Sequence, residues 1–210
     1  MSEIVDAINE VHREVGTRQV KAGDAATVLL RRTYDAEVAD VWDAVTSPER
    51  ISRWFLPVSG ELKLGGTYQL EGNAGGEILE CVPPERLRVS WLFGPDPGFS
   101  EVEVRLTPEA DGRTVFDLEH VAVVPEEFAG QFGPGAVGVG WDLALLGLGR
   151  YLTGGEISRE EMLAWSESAE AREGMRLSGE LWGSAYAASG AAPDVVAATT
   201  AATIAFYTGA

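Results

Sequence analysis

Apolar residues near the N-terminus recur at helical spacing. Ile4, Ile8, Val11 and Val15 fall at i, i+4, i+7 and i+11, which predicts a short amphipathic helix ending at Gly16. After Gly23-Asp24, residues 25 to 34 (AATVLLRRTY) are rich in β-formers and read as a strand. Helical spacing returns over 37 to 46, where Val38, Val41, Trp42 and Val45 share a face. Ser47-Pro48-Glu49 starts a second short helix, with Ser47 as its cap and Pro48 at its first position. That helix carries Ile51, Trp54 and Phe55, and Pro57 stops it.

From 58 to 124 the period is two. Segments near 58–64, 67–72, 76–82, 86–93, 100–107 and 113–124 alternate or run apolar. Gly65-Gly66, Asn73 to Gly75, Pro83-Pro84, Gly94 to Gly98 and Asp111-Gly112 separate them. Connections this short predict an antiparallel meander, because parallel pairing needs a crossover of about a dozen residues or more. A Gly-rich linker at 133–140 leads to the strongest helical stripe, Trp141, Leu145, Leu148 and Leu152. An antiparallel sheet needs a cover for its apolar face, and this helix is the candidate. The fold class is α+β.

Beyond 155 the chain changes character. Ser158-x-x-Glu161 is a capping box before Met162, Leu163 and Trp165. A second helical stretch holds Met175, Leu181, Trp182 and Tyr186, and a third opens at Pro193-Asp194 with Val195, Val196, Ile204 and Phe206. Aromatics in so plain a composition point to packed helices, on the main domain or on a second subunit, rather than to a solvated linker. The expected organisation is 1–24 as N-terminal helix and linker, 25–153 as the main domain and 154–210 as a helical extension.

Composition narrows the function. The 210 residues include 33 acidic and 16 basic side chains, a formal charge of −17. Phosphate backbones and anionic membranes are poor partners for such a chain, and Arg31-Arg32 is its largest basic cluster. One cysteine, Cys81, leaves no internal disulfide and no cysteine cage, and two histidines leave no His-rich metal site. No metal and no cofactor is expected. The N-terminus mixes charges through every turn, unlike a signal peptide, so the expected compartment is the cytoplasm.

Several strings, in order, resemble the START/Bet v 1-like (SRPBCC) superfamily, in its branch named for the activator of heat shock protein 90 ATPase. They are Arg32-Thr-Tyr-Asp-Ala36 leading into Val41-Trp42, Ser47-Pro48-Glu49-Arg50, Trp54-Phe55-Leu56-Pro57 and Gly65-Gly66-Thr67-Tyr68. Gly76-Glu77-Ile78, Pro84-Glu85-Arg86-Leu87, Trp91, Leu118-Glu119-His120 and Gly140-Trp141 with Leu145, Leu148 and Leu152 continue the match. The resemblance implies a helix-grip fold, a curved antiparallel sheet around a long C-terminal helix with a cavity between them. It implies no shared catalytic residue. Members carry lipids or steroids, cyclise polyketides or act as co-chaperones.

Each chemical candidate has a plainer account. Gly133-Pro-Gly-Ala-Val-Gly138 matches GxGxxG, but a dinucleotide fingerprint needs a buried parallel strand before it, and residues 125–132 make a poor one. A flexible lead into the long helix explains it better. Phe116, Leu118 and His120 share one strand face, which places His120 as a polar group among apolar ones. It either orients a ligand or moves a proton, or it is satisfied by a neighbouring hydroxyl. Trp54, Phe55, Tyr68, Trp91, Phe93, Phe116 and Trp141 line a pocket for a flat hydrophobic ligand or fill the core. Arg31, Glu77 and Arg105 are polar candidates whose facing depends on strand register. Cys81 reads as an inert core thiol, and Glu101/Glu103 as a solvated sheet face.

The leading expectation is a non-enzymatic protein binding a small hydrophobic or aromatic molecule through Trp54, Phe55, Tyr68, Trp91, Phe93, Phe116, His120 and Trp141. The alternatives are a polyketide cyclase- or dehydratase-like enzyme using His120, and a co-chaperone-like interaction module. The C-terminal helices are candidates for a homodimer contact.

Overall fold

The computed structural model describes residues 3–95, 97–155 and 164–209. The elements run α1 (Glu3–Asn9), β1 (His12–Val20), β2 (Gly23–Tyr34), α2 (Val38–Thr46), α3 (Pro48–Trp54), β3 (Val58–Gly60), β4 (Thr67–Leu70) and β5 (Gly75–Val82). They continue as β6 (Arg86–Ser90), β7 (Ser100–Pro108), β8 (Thr114–Ala122), α4 (Glu126–Phe132), α5 (Gly135–Leu152), α6 (Ala169–Ala188) and α7 (Pro193–Thr208). Eight strands in the order β1-β2-β8-β7-β6-β5-β4-β3 form a curved, unclosed antiparallel sheet, and with the long helix α5 the fold is α+β and helix-grip-like.

The first departure from expectation is β1. The helix stops at Asn9, not at Gly16, and residues 12–20 are a strand. Ile8 and Val11 are buried, but Val15 continues a stripe that Gly16 would weaken in a helix. Strand formers Val15, Thr17 and Val20 lie before a tight turn ending at Gly23, whose φ of 122° suits glycine alone. A hairpin partner in β2 decides in favour of the strand. The second departure is at 133–140. Instead of a linker, Gly135, Gly138 and Gly140 lie in the first turns of α5, Gly133 caps the end of α4, and α4 takes the place of the strand a dinucleotide fingerprint requires. The third is minor. Ser47 sits at the N-cap of α3, yet its side chain makes no capping hydrogen bond, and Pro48 alone marks the start. The predicted capping box at Ser158 to Glu161, with Met162 and Leu163, lies outside the described residues.

The chain divides into two compact units. One comprises Arg31–Val123 and Gly147–Ile157. Its sheet register is set by β7 and β8, which pair from Ser100 opposite Ala122 to Pro108 opposite Thr114 across the turn at Asp111-Gly112. Val102, Val104, Leu106, Phe116, Leu118 and His120 fall on the buried side. Arg31 pairs with Asp117, Arg105 with Glu103 and Arg88 with Glu101 on the other. Arg31, Arg105 and the exposed Glu77 therefore face away from the core, the outcome that register had left open. The last turns of α5 meet this unit closely. A side chain at Gly147 would strike the Trp54 carbonyl at 2.8 Å, and Tyr151 accepts a hydrogen bond from Arg50 at 2.9 Å.

The other unit comprises Met1–Leu30, Val124–Leu146 and Ser158–Ala210. Here α5, α6 and α7 pack through glycines. A β-carbon at Gly138 would lie 2.2 Å from the Trp182 ring, one at Gly183 2.3 Å from Thr200, and one at Gly179 2.7 Å from Ile204. The low-complexity tail is thus a close-packed helix pair, as small residues permit. A groove of about 440 Å³ runs along α6 and α7, lined by Gly183, Ala187, Ala197, Thr200 and Ala201 among others. Among the described residues no single helix is long and apolar enough to cross a membrane.

Candidate functional site

Within the sheet unit, α3 ends in Trp54-Phe55, and the indole of Trp54 is fixed by donating to the Ala44 carbonyl of α2 at 2.9 Å. Its ring stacks on Phe55 (centroids 5.5 Å, interplanar angle 24°), and Phe55 stacks on Trp91 (6.4 Å, 28°). Trp91 follows β6 and meets both Tyr68 of β4 (6.4 Å) and His120 of β8 (6.5 Å). Five of the eight expected residues thus form one run of rings. The outer members, Trp54, Phe55 and Trp91, are half-buried, whereas Tyr68 and His120 are buried.

Backbone irregularity makes room for this arrangement. Tyr68 stands opposite Gly76 in the β4–β5 register. A β-carbon at Gly76 would lie 2.2 Å from the Ser90 carbonyl, so only glycine lets β5 and β6 approach there. Ser90 then serves both neighbours. Its carbonyl accepts the Tyr68 hydroxyl at 2.8 Å, and its own hydroxyl accepts the Glu77 amide at 2.7 Å. Burial pushes the Tyr68 phenol well above its ordinary value, so it stays protonated.

His120 has a partner that sequence reading did not single out. Its Nε2 lies 2.8 Å from the hydroxyl of Ser100, a buried residue at the start of β7. Counting strand positions back from the Asp111-Gly112 turn places Ser100 diagonally across from His120, and that signal was available. The remaining expected residues lie elsewhere. Phe116 is 2% exposed and packs edge-on against Tyr34 at 5.8 Å. Phe93 does not face inward: it is 66% exposed, because β6 ends at Ser90 and the chain turns at Gly94. Trp141 is buried in the helical unit. Among the described residues no group of three His, Cys, Asp or Glu side chains is placed to hold a metal.

The family model for activator of Hsp90 ATPase homolog 1-like proteins matches residues 35–153. The chain belongs to that family. The matched stretch takes in residues 35–123 of the sheet unit described above, and solved structures extend the likeness. The crystal structure of CalU16 from Micromonospora echinospora is 38% identical, covers 83% of this chain and 97% of its own, and superposes with a TM-score of 0.66. DynU16, a protein of the dynemicin biosynthetic locus, is 25% identical over 62% of this chain and 48% of its own (TM-score 0.54). MLL2253 from Mesorhizobium loti, 24% identical over 62% of this chain and 99% of its own, shows the same fold (TM-score 0.51). No curated protein matches.

In this family member burial lowers the His120 pKa from 6.5 to about 4, so the imidazole is neutral at physiological pH. A depressed folded pKa contributes stability that is complete above the unfolded value and is lost as the pH falls through the folded one. Between pH 6.5 and about 4 that loss amounts to about 3 kcal/mol. The stability difference between wild type and His120→Leu, measured by urea denaturation across this window, is expected to narrow by that amount on acidification. A difference that stays constant would show that His120 titrates alike in both states.

Proposed function

We propose that this protein binds a small, flat hydrophobic molecule against the ring run Trp54–Phe55–Trp91, beside Tyr68 and the Ser100–His120 pair. One observation carries the reading: half-buried stacked rings lead to a single buried polar pair, the combination of apolar wall and sparse polar groups that ligand sites use. Membership of DynU16 in a biosynthetic locus supports a small-molecule role. Binding is favoured over catalysis because His120 is a weakened base and the Tyr68 phenol a weakened acid, both through burial. The family name alone supports the co-chaperone alternative.

Native mass spectrometry and thermal shift against polycyclic aromatics, steroids and fatty acids test the proposal. A bound polycycle at 100 times its Kd raises stability by about 2.7 kcal/mol. If no compound binds, or if fatty acids bind while aromatics do not, the reading fails.

For the C-terminal helices we propose contact with a second copy of the chain. Residues 181–209 carry one charge, Asp194, in a protein of net charge −17, and Phe206, near the end of α7, is 65% exposed with its ring edge-on to Phe132. Two copies escape mutual repulsion best where neither is charged. Sedimentation velocity is expected to show a dimer that Phe206→Glu dissociates. A monomeric wild type overturns it.

A further inference from the structure

The ring run starts on a helix that buries none of its own side chains. Within the seven residues of α3, Ile51 and Trp54 are half-buried, and Ser52 and Arg53 are exposed. Apolar burial therefore fixes the seat of α3 weakly, because that stabilisation scales with the area taken from water. Segments with few buried apolar contacts open locally, at a cost below that of global unfolding. Yet α3 delivers Trp54 and Phe55, and the stacking of Phe55 on Trp91 requires α3 to keep one seat.

Arg50, early in α3, supplies a directional hold. Its Nη1 donates to Asp40 Oδ1 at 2.7 Å, to Asp43 Oδ2 at 2.9 Å and to the Asp40 carbonyl at 3.2 Å, all on α2. Its Nε donates to the Tyr151 hydroxyl of α5 at 2.9 Å, and the guanidinium lies 5.2 Å from the centre of that ring. One planar group thus grips two elements at once, which a lysine ammonium on its flexible stem does not reproduce. The Arg50 side chain is 21% exposed, against 48% for Asp40 and 60% for Asp43. Carboxylates so exposed are worth little singly, so the hold resides in the guanidinium that gathers them. One turn further on, the Trp54 indole bonds the Ala44 carbonyl, so two side chains on one face of α3 tie it to α2.

We propose that Arg50 is a positioning residue for the ring site: its clamp on α2 and α5 keeps α3 seated, and so keeps Phe55 stacked on Trp91. The inference rests on the ligand-binding reading above. Arg50 acts through Trp54 and Phe55 rather than on the ligand, and α3 becomes the movable wall of the site, opening as a unit while the sheet stays folded.

Hydrogen exchange of the full chain by mass spectrometry, together with fluorescence titration of the neutral probe N-phenyl-1-naphthylamine, tests it. In the wild type the amides of residues 50–55 are expected to exchange faster than those of β7 and β8. Arg50→Met speeds them about tenfold further and weakens probe binding about threefold, as the fraction of molecules with α3 seated falls. Arg50→Lys, which keeps a charge beside both carboxylates, recovers part of each effect. The double substitution Asp40→Asn with Asp43→Asn, confined to exposed side chains, speeds the same amides and decides the matter should Arg50→Met not fold. An arginine that only stabilised the fold would leave the Kd of the folded protein unchanged, so wild-type affinity in Arg50→Met overturns the proposal. So do α3 amides as slow as those of β7 and β8, a lysine no better than methionine, or wild-type exchange in the double aspartate variant. If the probe does not bind the wild type, the ligand-binding reading falls, and the exchange rates alone decide for or against the clamp.

Discussion

Replacing Arg13 with Ala is expected to destabilise the protein by roughly 3–5 kcal/mol at neutral pH, and by less in acid. The guanidinium of Arg13 donates through Nε to Asp142 Oδ2 at 3.0 Å, with side-chain exposures of 5% and 1%. Its two other nitrogens donate to the carbonyls of Val11 and Ile8, both at 2.8 Å. The same carboxylate oxygen also accepts from Ser178 and from the Trp182 indole. Arg13 therefore ties the α1–β1 connection and β1 to α5 and α6. Its removal leaves a buried carboxylate without a counter-charge, which is far more damaging than never having buried the pair.

The pH dependence follows from the carboxyl. Burial already raises the Asp142 pKa, and the attraction of Arg13 opposes that rise. Without Arg13 the folded pKa climbs further. A raised folded pKa contributes stability that is complete below the unfolded value and is lost as the pH rises through the folded one. The Arg13→Ala deficit is thus smallest near pH 4 and grows toward neutrality, since a protonated Asp142 needs no counter-charge. Urea denaturation of both proteins at pH 5 and pH 8 measures it. A deficit under about 1 kcal/mol, or one equal at both pH values, would show that the pair is not a buried charge contact.

Why the sheet was legible and this pair was not is a matter of range. Val102 and Val104 alternate with Glu101, Glu103 and Arg105, and Phe116, Leu118 and His120 alternate with Asp117 and Glu119, so two strands declare themselves locally. The turn at Asp111-Gly112 even fixes their register. By contrast Arg13 and Asp142 are 129 residues apart, and each alone looks like an ordinary surface charge. Phe93 shows the limit of alternation. It continues the Trp91 face on paper, but the strand has already ended. The β1 error has the same origin, because Val11 and Val15 satisfy a helical period and a hairpin partner outweighs it. At the site, the ring run was visible as residue types, while its order depends on where α3 delivers Trp54-Phe55.

Glycine is where composition misled most, and there the largest packing effect is expected. Trp182 is fully buried, so Trp182→Ala should destabilise by about 3–5 kcal/mol, through the cavity and through the lost hydrogen bond to Asp142. Its partner is the absence of a side chain at Gly138. In an unobstructed helix Gly→Ala is favourable by about 1 kcal/mol, yet here the new carbon would sit 2.2 and 2.3 Å from Trp182 ring carbons. Neither a rigid indole nor the α5 backbone yields that much, so Gly138→Ala in the wild-type background should lose roughly 2–3 kcal/mol. In the Trp182→Ala background the obstruction is gone and only helix propensity is left, so the same substitution should become neutral or stabilising by up to about 1 kcal/mol. A double-mutant cycle by chemical denaturation reads this reversal of sign directly. If Gly138→Ala is harmless with Trp182 in place, α5 and α6 do not meet at this glycine, and residues 133–140 are spacer after all.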